Sequence, residues 1–214
     1  MKKTALLAGA TGLVGSALLP LLLAADRYDK VIVVGRRPVA LAHPKLVQVV
    51  TELRELEKVR LRLIADDAYC CLGTTLQQAG SKEAFYEVDF QYVVQLAAVM
   101  SSNFAAQFLV VSAMGASPGA FFYYSRVKGE MEQAVRQAPF RALHIFRPSL
   151  LLGQRPAPRL GERVGGVLLQ LAAPLLRGSW RNYRPVAAAT VAQAMLQAAA
   201  SEQKGVSVHE SASL

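Results

Sequence analysis

Three side chains in the middle of the chain have the types and spacing that carbonyl chemistry needs. Tyr124 and Lys128 are four residues apart in a segment that predicts a helix, so both lie on one helical face. A nearby ammonium stabilises a phenolate and lowers the pKa of a tyrosine toward neutral pH, which suits the phenol for proton transfer to a carbonyl oxygen. Ser112 ends an apolar predicted strand, where its hydroxyl could bond the same oxygen. Such a pair also occurs by chance, and a serine there is also typical of a turn.

A glycine-rich turn near the start of the chain could hold a phosphate. Gly9, Gly12 and Gly15 lie between a short apolar segment and a second apolar run. Strand, glycine turn and helix in this order place unpaired N–H groups and the positive end of a helix dipole beside a ligand, and glycines let the backbone approach a pyrophosphate. The spacing is GxxGxxG rather than GxGxxG, so the prediction depends on the strand–turn–helix context.

The end of the second predicted strand carries two arginines. Arg36 and Arg37 follow Gly35 where an acidic residue would bind the 2′-hydroxyl of NAD. Guanidinium groups pair well with phosphate, so the two arginines predict NADP rather than NAD. The alternative is a solvated turn.

Alternating apolar strands and helices must position these groups. Strands are predicted at 4–8, 31–34, 46–50, 68–72, 108–112 and 142–146, and helices at 15–25, 53–63, 82–100, 124–137 and 190–201. Continuous apolar strands separated by helices are typical of a parallel sheet covered on both faces. The fold class is therefore α/β, a doubly wound parallel sheet of the Rossmann type.

Composition limits the alternatives. The chain has 214 residues, of which 53% are hydrophobic, and this length and composition predict a single domain spanning residues 1–214. Lys2 and Lys3 before an apolar run resemble a signal peptide, but the glycines and the polar break at 26–29 favour a cytoplasmic protein. Adjacent Cys70 and Cys71 point to opposite faces of a strand and predict small buried hydrophobes rather than a disulfide. The sequence predicts no metal site.

The basic surplus is concentrated near the carboxyl end. Residues 141–184 contain eight arginines and a single acid, and they overlap a proline- and glycine-rich segment, 148–186, which predicts a small substrate lobe or lid. Without interleaved aromatics the charge does not predict nucleic-acid binding, despite a pI of about 9.8. The apolar stretch 164–176 beside Trp180 suits either a lid over a substrate pocket or a peripheral contact with an anionic membrane.

The glycine turn, the strand-end serine and the Tyr-x-x-x-Lys spacing together resemble the extended or atypical branch of the short-chain dehydrogenase/reductase superfamily. The segment RPSLLLG at 147–153 is similar to that branch's Arg-Pro segment. CCLGTT at 70–75, YEVDFQYV at 86–93 and VKGE at 127–130 resemble the TIP30/CC3-like oxidoreductases, which bind NADPH. The similarity spans nearly the whole chain.

The resemblance implies a role for each matching residue. Residues expected to wrap the pyrophosphate are Gly9, Thr11, Gly12, Leu13, Val14 and Gly15, and Arg36 and Arg37 are expected at the adenosine phosphate. Leu72, Gly73 and Thr74 would pass beside the cofactor ribose, Lys128 would bind the nicotinamide ribose, and Pro148 and Leu150 would flank the nicotinamide. Ser112, Tyr124 and Lys128 would be catalytic. Homodimers formed through the helix of the tyrosine and the helix before it are also implied.

The resulting expectation is an NADPH-dependent reductase acting on a small carbonyl or quinone-like substrate, with Tyr124 as proton donor. The alternative is an NADPH-binding sensor or scaffold with vestigial catalysis. Asp89 stands where many superfamily members have an asparagine in a proton relay, which puts turnover in doubt. At 51–52 the chain has Thr-Glu where an aspartate toward adenine is frequent, which alters only adenine contacts.

Overall fold

The computed structural model describes residues 2–152 and 184–214, which form a parallel α/β sandwich. Its seven-stranded sheet has the order β3-β2-β1-β4-β5-β6-β7, and every neighbouring pair is parallel. The strands are β1 Lys3–Ala8, β2 Tyr28–Gly35, β3 Leu46–Val50, β4 Asp67–Cys70, β5 Gln107–Val111, β6 Ala142–Arg147 and β7 Gly205–Glu210. This order confirms the predicted doubly wound Rossmann-type sheet.

Helices cover both faces of the sheet. They are α1 Leu13–Ala24, a 3₁₀ helix Leu53–Arg62, α2 Leu76–Ala79, α3 Lys82–Tyr86, a π turn Glu87–Gln91, α4 Tyr92–Ser102, α5 Tyr123–Val135, α6 Ala188–Ser201 and a 3₁₀ turn Ser211–Ser213. The predicted long helix at 82–100 is therefore α3, the π turn and α4 in one uninterrupted run.

Two apolar layers hold the helices on the sheet. One face of the strands packs on α4, α5 and the 3₁₀ helix, with Phe108 and Leu96 fully buried between them. The other face packs on α1 and α6, where Leu18 and Met195 are fully buried. Strands with both faces covered are nearly continuous apolar runs, which made β1, β2, β4, β5 and β6 predictable. The edge strand β3 was predictable because four of its five residues are apolar.

Strand β7 was not predicted. It pairs with β6 from Ala142↔Gly205 to Arg147↔Glu210 and forms one edge of the sheet. It places His209 in a strand, with Nε2 of its ring 3.1 Å from Nδ1 of His144. The two imidazoles therefore form a contact that the sequence interpretation missed.

Most of the predicted lobe at 148–186, including 164–176 and Trp180, lies outside the described residues. The described parts that flank it pair with each other in parallel, as Leu151–Leu152 and Val186–Ala187. Across residues 2–152 and 184–214, the helices are all too short or too polar to cross a bilayer.

Candidate cofactor and proton-transfer site

The glycine turn joins β1 to α1 and leaves the start of that helix open. Gly9 has φ +84°, and a Cβ there would lie 2.5 Å from the backbone carbonyl of Cys71. A Cβ on Gly15 would lie 2.1 Å from the carbonyl oxygen of Gly9. Both positions therefore require glycine, because the turn packs directly on the end of β4 and on itself. Gly12 is the N-cap of α1 and makes no side-chain cap, so the first-turn N–H groups lack partners within the helix.

The remaining predicted residues of this turn differ in exposure. Thr11 is exposed and Leu13 is half-buried, whereas the side chain of Val14 is buried in the core under the sheet. The first turn of α1 contains no acidic residue. The positive end of the helix is thus uncompensated, which suits an anionic group.

Arg36 and Arg37 are exposed just beyond β2. The next backbone segment is held beside them, because the N–H of Thr51 donates to the carbonyl of Gly35 at 3.0 Å. Burial and the hydroxyl's hydrogen bond to Glu87 raise the pKa of Tyr92, while the charges of Arg36 and Arg54 lower it. Arg36, Arg54 and the carboxylate of Glu87 therefore all lie within electrostatic range of the same phenol.

The loop after β4 lies over a buried ion pair. Leu72 is buried, Gly73 is exposed and Thr74 is half-buried. The backbone N–H of Thr74 donates to Oδ2 of Asp89 at 2.8 Å. A Cβ on Gly73 would lie 3.3 Å from Oδ1 of Asp89 and 3.5 Å from Nζ of Lys128, so glycine leaves the space above this pair open.

Lys128 pairs with Asp89 inside the protein. Its Nζ lies 2.7 Å from Oδ1 of the carboxylate, and the two side chains are 4% and 0% exposed. Burial lowers the pKa of Lys128, but the opposing effects of Asp89 and Tyr124 are larger in sum, and the net result is a raised pKa. The lysine is therefore an ammonium at neutral pH.

Tyr124 lies one helical turn before Lys128, as the spacing predicted, at the start of α5. Its half-buried ring packs 5.5 Å from the ring of Phe85, measured between centroids. Glycine at position 129 lets α5 approach the preceding loop, since a Cβ there would lie 2.1 Å from the backbone carbon of Ser117. Gly129 is thus needed to seat the helix, a role that sequence reasoning missed.

Ser112 has a different environment from the one expected. Its hydroxyl donates to Oε1 of Glu132 at 2.6 Å, and both side chains are buried. Arg147 donates to both oxygens of the same carboxylate, at 2.9 Å from Nε and 2.7 Å from Nη2. Ser112 is therefore part of a buried link between β5, α5 and β6, and its proton is used in that link.

Glu132 was not among the predicted site residues. The signal for it was present, because Tyr124, Lys128 and Glu132 recur every four residues and share one face of α5. An acid one turn beyond Lys128 on this face lies deeper along the helix and is expected to be buried, and a buried carboxylate needs a cation.

Pro148 and Leu150 follow β6. Pro148 is buried and its carbonyl accepts a hydrogen bond from the N–H of Met114 at 2.9 Å, which ties the segments after β5 and β6 together. Leu150 is 46% exposed. The two residues therefore lie at the carboxyl edge of the sheet, with an apolar side chain available for contact.

The residues present fit a nicotinamide dinucleotide. An open helix start and two exposed arginines provide for the phosphates, and Gly73 leaves room above Lys128. These groups lie at the carboxyl ends of parallel strands, where open α/β sheets bind ligands. Cys70 and Cys71 are free thiols, and burial raises the pKa of Cys70 to about 12. Among the described residues, no group of three or more His, Cys, Asp or Glu side chains could hold a metal ion.

Comparison with curated proteins shows a relationship over most of the chain. The protein HTATIP2 of Rattus norvegicus is 33% identical over 198 residues, which cover 91% of this chain and 80% of the relative. The mitochondrial protein FMP52 of Eremothecium gossypii is 31% identical over 157 residues, which cover 73% and 70% respectively. The expected resemblance to the TIP30-like oxidoreductases is therefore confirmed.

The same relatives overturn the expectation of a cytoplasmic protein. FMP52 relatives from several fungi, including Candida albicans, are named as mitochondrial. The expectation depended on excluding a signal peptide, and that exclusion says nothing about other compartments. The cytoplasmic assignment is wrong on this comparison.

Solved structures show the same fold. The enzyme WbmH of Bordetella bronchiseptica, in complex with NAD⁺, superimposes with a TM-score of 0.72 at 15% identity, covering 99% of this chain and 76% of that one. A model of the NAD(P)H-binding family matches residues 9–202, from the first glycine of the turn to the end of α6. With its open helix start and its Rossmann-type sheet, this chain belongs to the NAD(P)H-binding family.

Proposed function

We propose that this protein is an NADPH-dependent oxidoreductase of the atypical short-chain type, which reduces a carbonyl or quinone-like substrate. The observation that carries the proposal is the position of Lys128: a buried ammonium one helical turn from Tyr124, directly beneath the exposed backbone of Gly73. A charged lysine in a site of low polarity stabilises a neighbouring phenolate far more than it would in water.

The preference for NADPH is supported by charge. No acidic residue stands at the end of β2, and Arg36 and Arg37 are both exposed there. An arginine can donate two parallel hydrogen bonds to a phosphate, whereas a ribose hydroxyl would gain little from it. The bound dinucleotide would supply the hydride that reduces the substrate carbon.

The chain's own residues would handle the proton. Tyr124 would donate its phenolic proton to the substrate oxygen as negative charge develops there, and Lys128 would stabilise the phenolate that remains. Ser112 cannot donate to that oxygen while its proton is held by Glu132. Its contribution in this proposal is to help hold α5 against β5, which fixes the position of Tyr124.

Tyr124→Phe tests the proposal, and Tyr123→Phe is its matched control. Tyr123 is the preceding residue on α5, and its hydroxyl donates to the carbonyl of Lys82. NADPH oxidation is measured with panels of carbonyl and quinone substrates. We expect Tyr124→Phe to lower the rate by about 10²- to 10⁴-fold with NADPH affinity unchanged, and Tyr123→Phe to retain the rate. Equal rates in the wild type and Tyr124→Phe would remove the tyrosine from the reaction.

A second candidate function is an NADPH-binding sensor or scaffold. The bond between Ser112 and Glu132 favours it, because a hydroxyl committed to a buried carboxylate is not free for catalysis. Under this proposal the wild type binds NADPH in titration but oxidises it with no member of either panel. Tight binding without turnover would therefore select the sensor, and Tyr124→Phe would then have no effect beyond that of Tyr123→Phe.

A further inference from the structure

Asp89 is an ionisable group that the proposed reaction does not use directly. The π turn carries it in the middle of the long helical run, and its side chain is fully buried. One carboxylate oxygen contacts Nζ of Lys128 at 2.7 Å, and the other accepts the backbone N–H of Thr74 at 2.8 Å. A single side chain therefore joins the π turn, the loop after β4 and α5.

Asp89 supplies the negative charge that Lys128 faces. The other groups acting on the ammonium are the phenol of Tyr124, from its own helix, and the thiol of Cys70, from β4. Phenols and thiols are neutral near pH 7 in water, and burial raises the pKa of Cys70 further. Among these groups, the carboxylate alone balances the buried ammonium at neutral pH.

Without the charge of Asp89, burial would be the dominant effect on the pKa of Lys128. Burial lowers the pKa of Lys128, and the attraction of Asp89 is the first of the effects that reverse this. An ammonium buried without a partner releases its proton, because the neutral amine costs less to keep out of water. An asparagine at position 89 would keep an oxygen for the N–H of Thr74 but would carry no charge.

We infer that Asp89 is a positioning residue: it keeps Lys128 charged beneath Gly73 and fixes the loop at Thr74. A site with asparagine at this position would depend on other groups to hold the lysine charged. The consequence for proton transfer by Tyr124 rests on the proposed function, whereas the charge state of Lys128 can be measured without substrate or nucleotide.

The test is a pH titration of lysine side chains by carbon NMR in the full chain, labelled at the carbon next to the amine. Lys128→Gln identifies the Lys128 signal. In the wild type we expect this signal to keep its charged position beyond the pH at which exposed lysines titrate. In Asp89→Asn we expect it to titrate at a lower pH than those lysines. An unchanged Lys128 titration in Asp89→Asn would overturn the inference.

The chain offers a matched control for the loss of a carboxylate partner. Glu55 pairs with Lys58 at 2.8 Å on the surface, where the side chains are 41% and 73% exposed. In Glu55→Gln we expect the Lys58 titration to be almost unchanged, because water replaces the lost partner. A large change at this exposed pair would show that the NMR signal responds to any neighbouring charge rather than to burial.

A stability cycle keeps the inference testable if Asp89→Asn folds poorly. Lys128→Gln leaves a buried carboxylate unpaired, whereas the double variant with Asp89→Asn leaves neither charge. We therefore expect the double variant to resist urea better than Lys128→Gln alone. A double variant that is no more stable than Lys128→Gln would contradict the inference. Failure of the wild type to bind NADPH would instead remove the proposed function and leave the charge coupling standing.

Discussion

Replacing Arg147 with methionine should destabilise the fold around the site, because it leaves the buried carboxylate of Glu132 without a cation. Arg147 also contacts Oε1 of Glu210 at 2.9 Å, but that side chain is 43% exposed and water can replace the lost partner. Glu132 is 3% exposed and accepts three hydrogen bonds, two of them from the guanidinium of Arg147 and one from Ser112. Methionine keeps much of the arginine's volume but has no donor, so Glu132 would retain only the bond from the serine. The variant therefore tests whether the buried pair holds α5, which carries Tyr124, against β6.

The expected loss is large because a charge remains behind. Removing one partner of a buried ion pair costs about 3–5 kcal/mol, and Arg147 is 24% exposed, so we expect about 3 kcal/mol in the free energy of unfolding. The measurement is urea denaturation at neutral pH, and the comparison requires that the unfolding free energy depends on urea concentration with the same slope in each variant. The control is Arg141→Met, which removes an exposed arginine whose Nη2 lies 3.8 Å from Glu202 and should cost less than about 0.5 kcal/mol.

A rescue variant separates lost charge pairing from lost packing. Glu132→Gln combined with Arg147→Met removes the charge that the single variant leaves unpaired, so the double variant should regain part of the lost stability. The reasoning is refuted if Arg147→Met costs no more than Arg141→Met, or if adding Glu132→Gln makes the protein less stable still.

Three further predictions concern the glycine turn, the two arginines after β2 and the buried His144. Gly9→Ala should lower the free energy of unfolding by about 1–2 kcal/mol or more and weaken NADPH binding, because φ is +84° and a Cβ would lie 2.5 Å from backbone atoms. Gly119→Ala, which has open space around it, should change neither quantity, and equal effects of the two variants in thermal or urea unfolding would speak against the close approach at Gly9. Arg36→Ala and Arg37→Ala should each raise the NADPH Kd by about 10- to 100-fold and leave NADH binding nearly unchanged in fluorescence titrations, whereas equal weakening of both nucleotides would rule out a 2′-phosphate contact. Burial and the neighbouring His209 lower the pKa of His144 to about 4, so between pH 6.5 and 4 the unfolded chain binds a proton that the folded protein does not bind. The free energy of unfolding should therefore fall by on the order of 2–3 kcal/mol as the pH drops from 6.5 toward 4. His144→Gln should flatten that decline in urea titrations, and an identical decline would exclude this imidazole as its cause.

The sheet was predictable from the sequence where its strands are nearly continuous apolar runs. Continuous apolar residues marked the six inner and early strands, and glycines marked the turn before α1. Strand β7 was missed because its apolar residues Val206 and Val208, which are 50% and 38% exposed, alternate with polar ones. The opposite edge strand, β3, was predicted because four of its five residues are apolar. The period of two in β7 was a usable signal.

The site was predictable in its residue types but not in its pairings. Spacing placed Tyr124 and Lys128 on one face of α5, and the structure agrees. The π turn that buries Asp89 leaves no mark in a helical pattern, since one extra residue per turn changes direction without changing composition. The bond from Ser112 to Glu132 joins residues twenty apart, and only the packing of α5 on β5 brings them together.

The most direct test of the central claim is a crystal structure of the protein grown with NADPH. We expect the pyrophosphate at the Gly9–Gly12 turn and the adenosine 2′-phosphate within hydrogen-bond distance of Arg36 or Arg37. We expect the nicotinamide ribose above Gly73 and Lys128, facing Tyr124. Density for the nucleotide elsewhere on the sheet, or a nicotinamide remote from Tyr124, would contradict it.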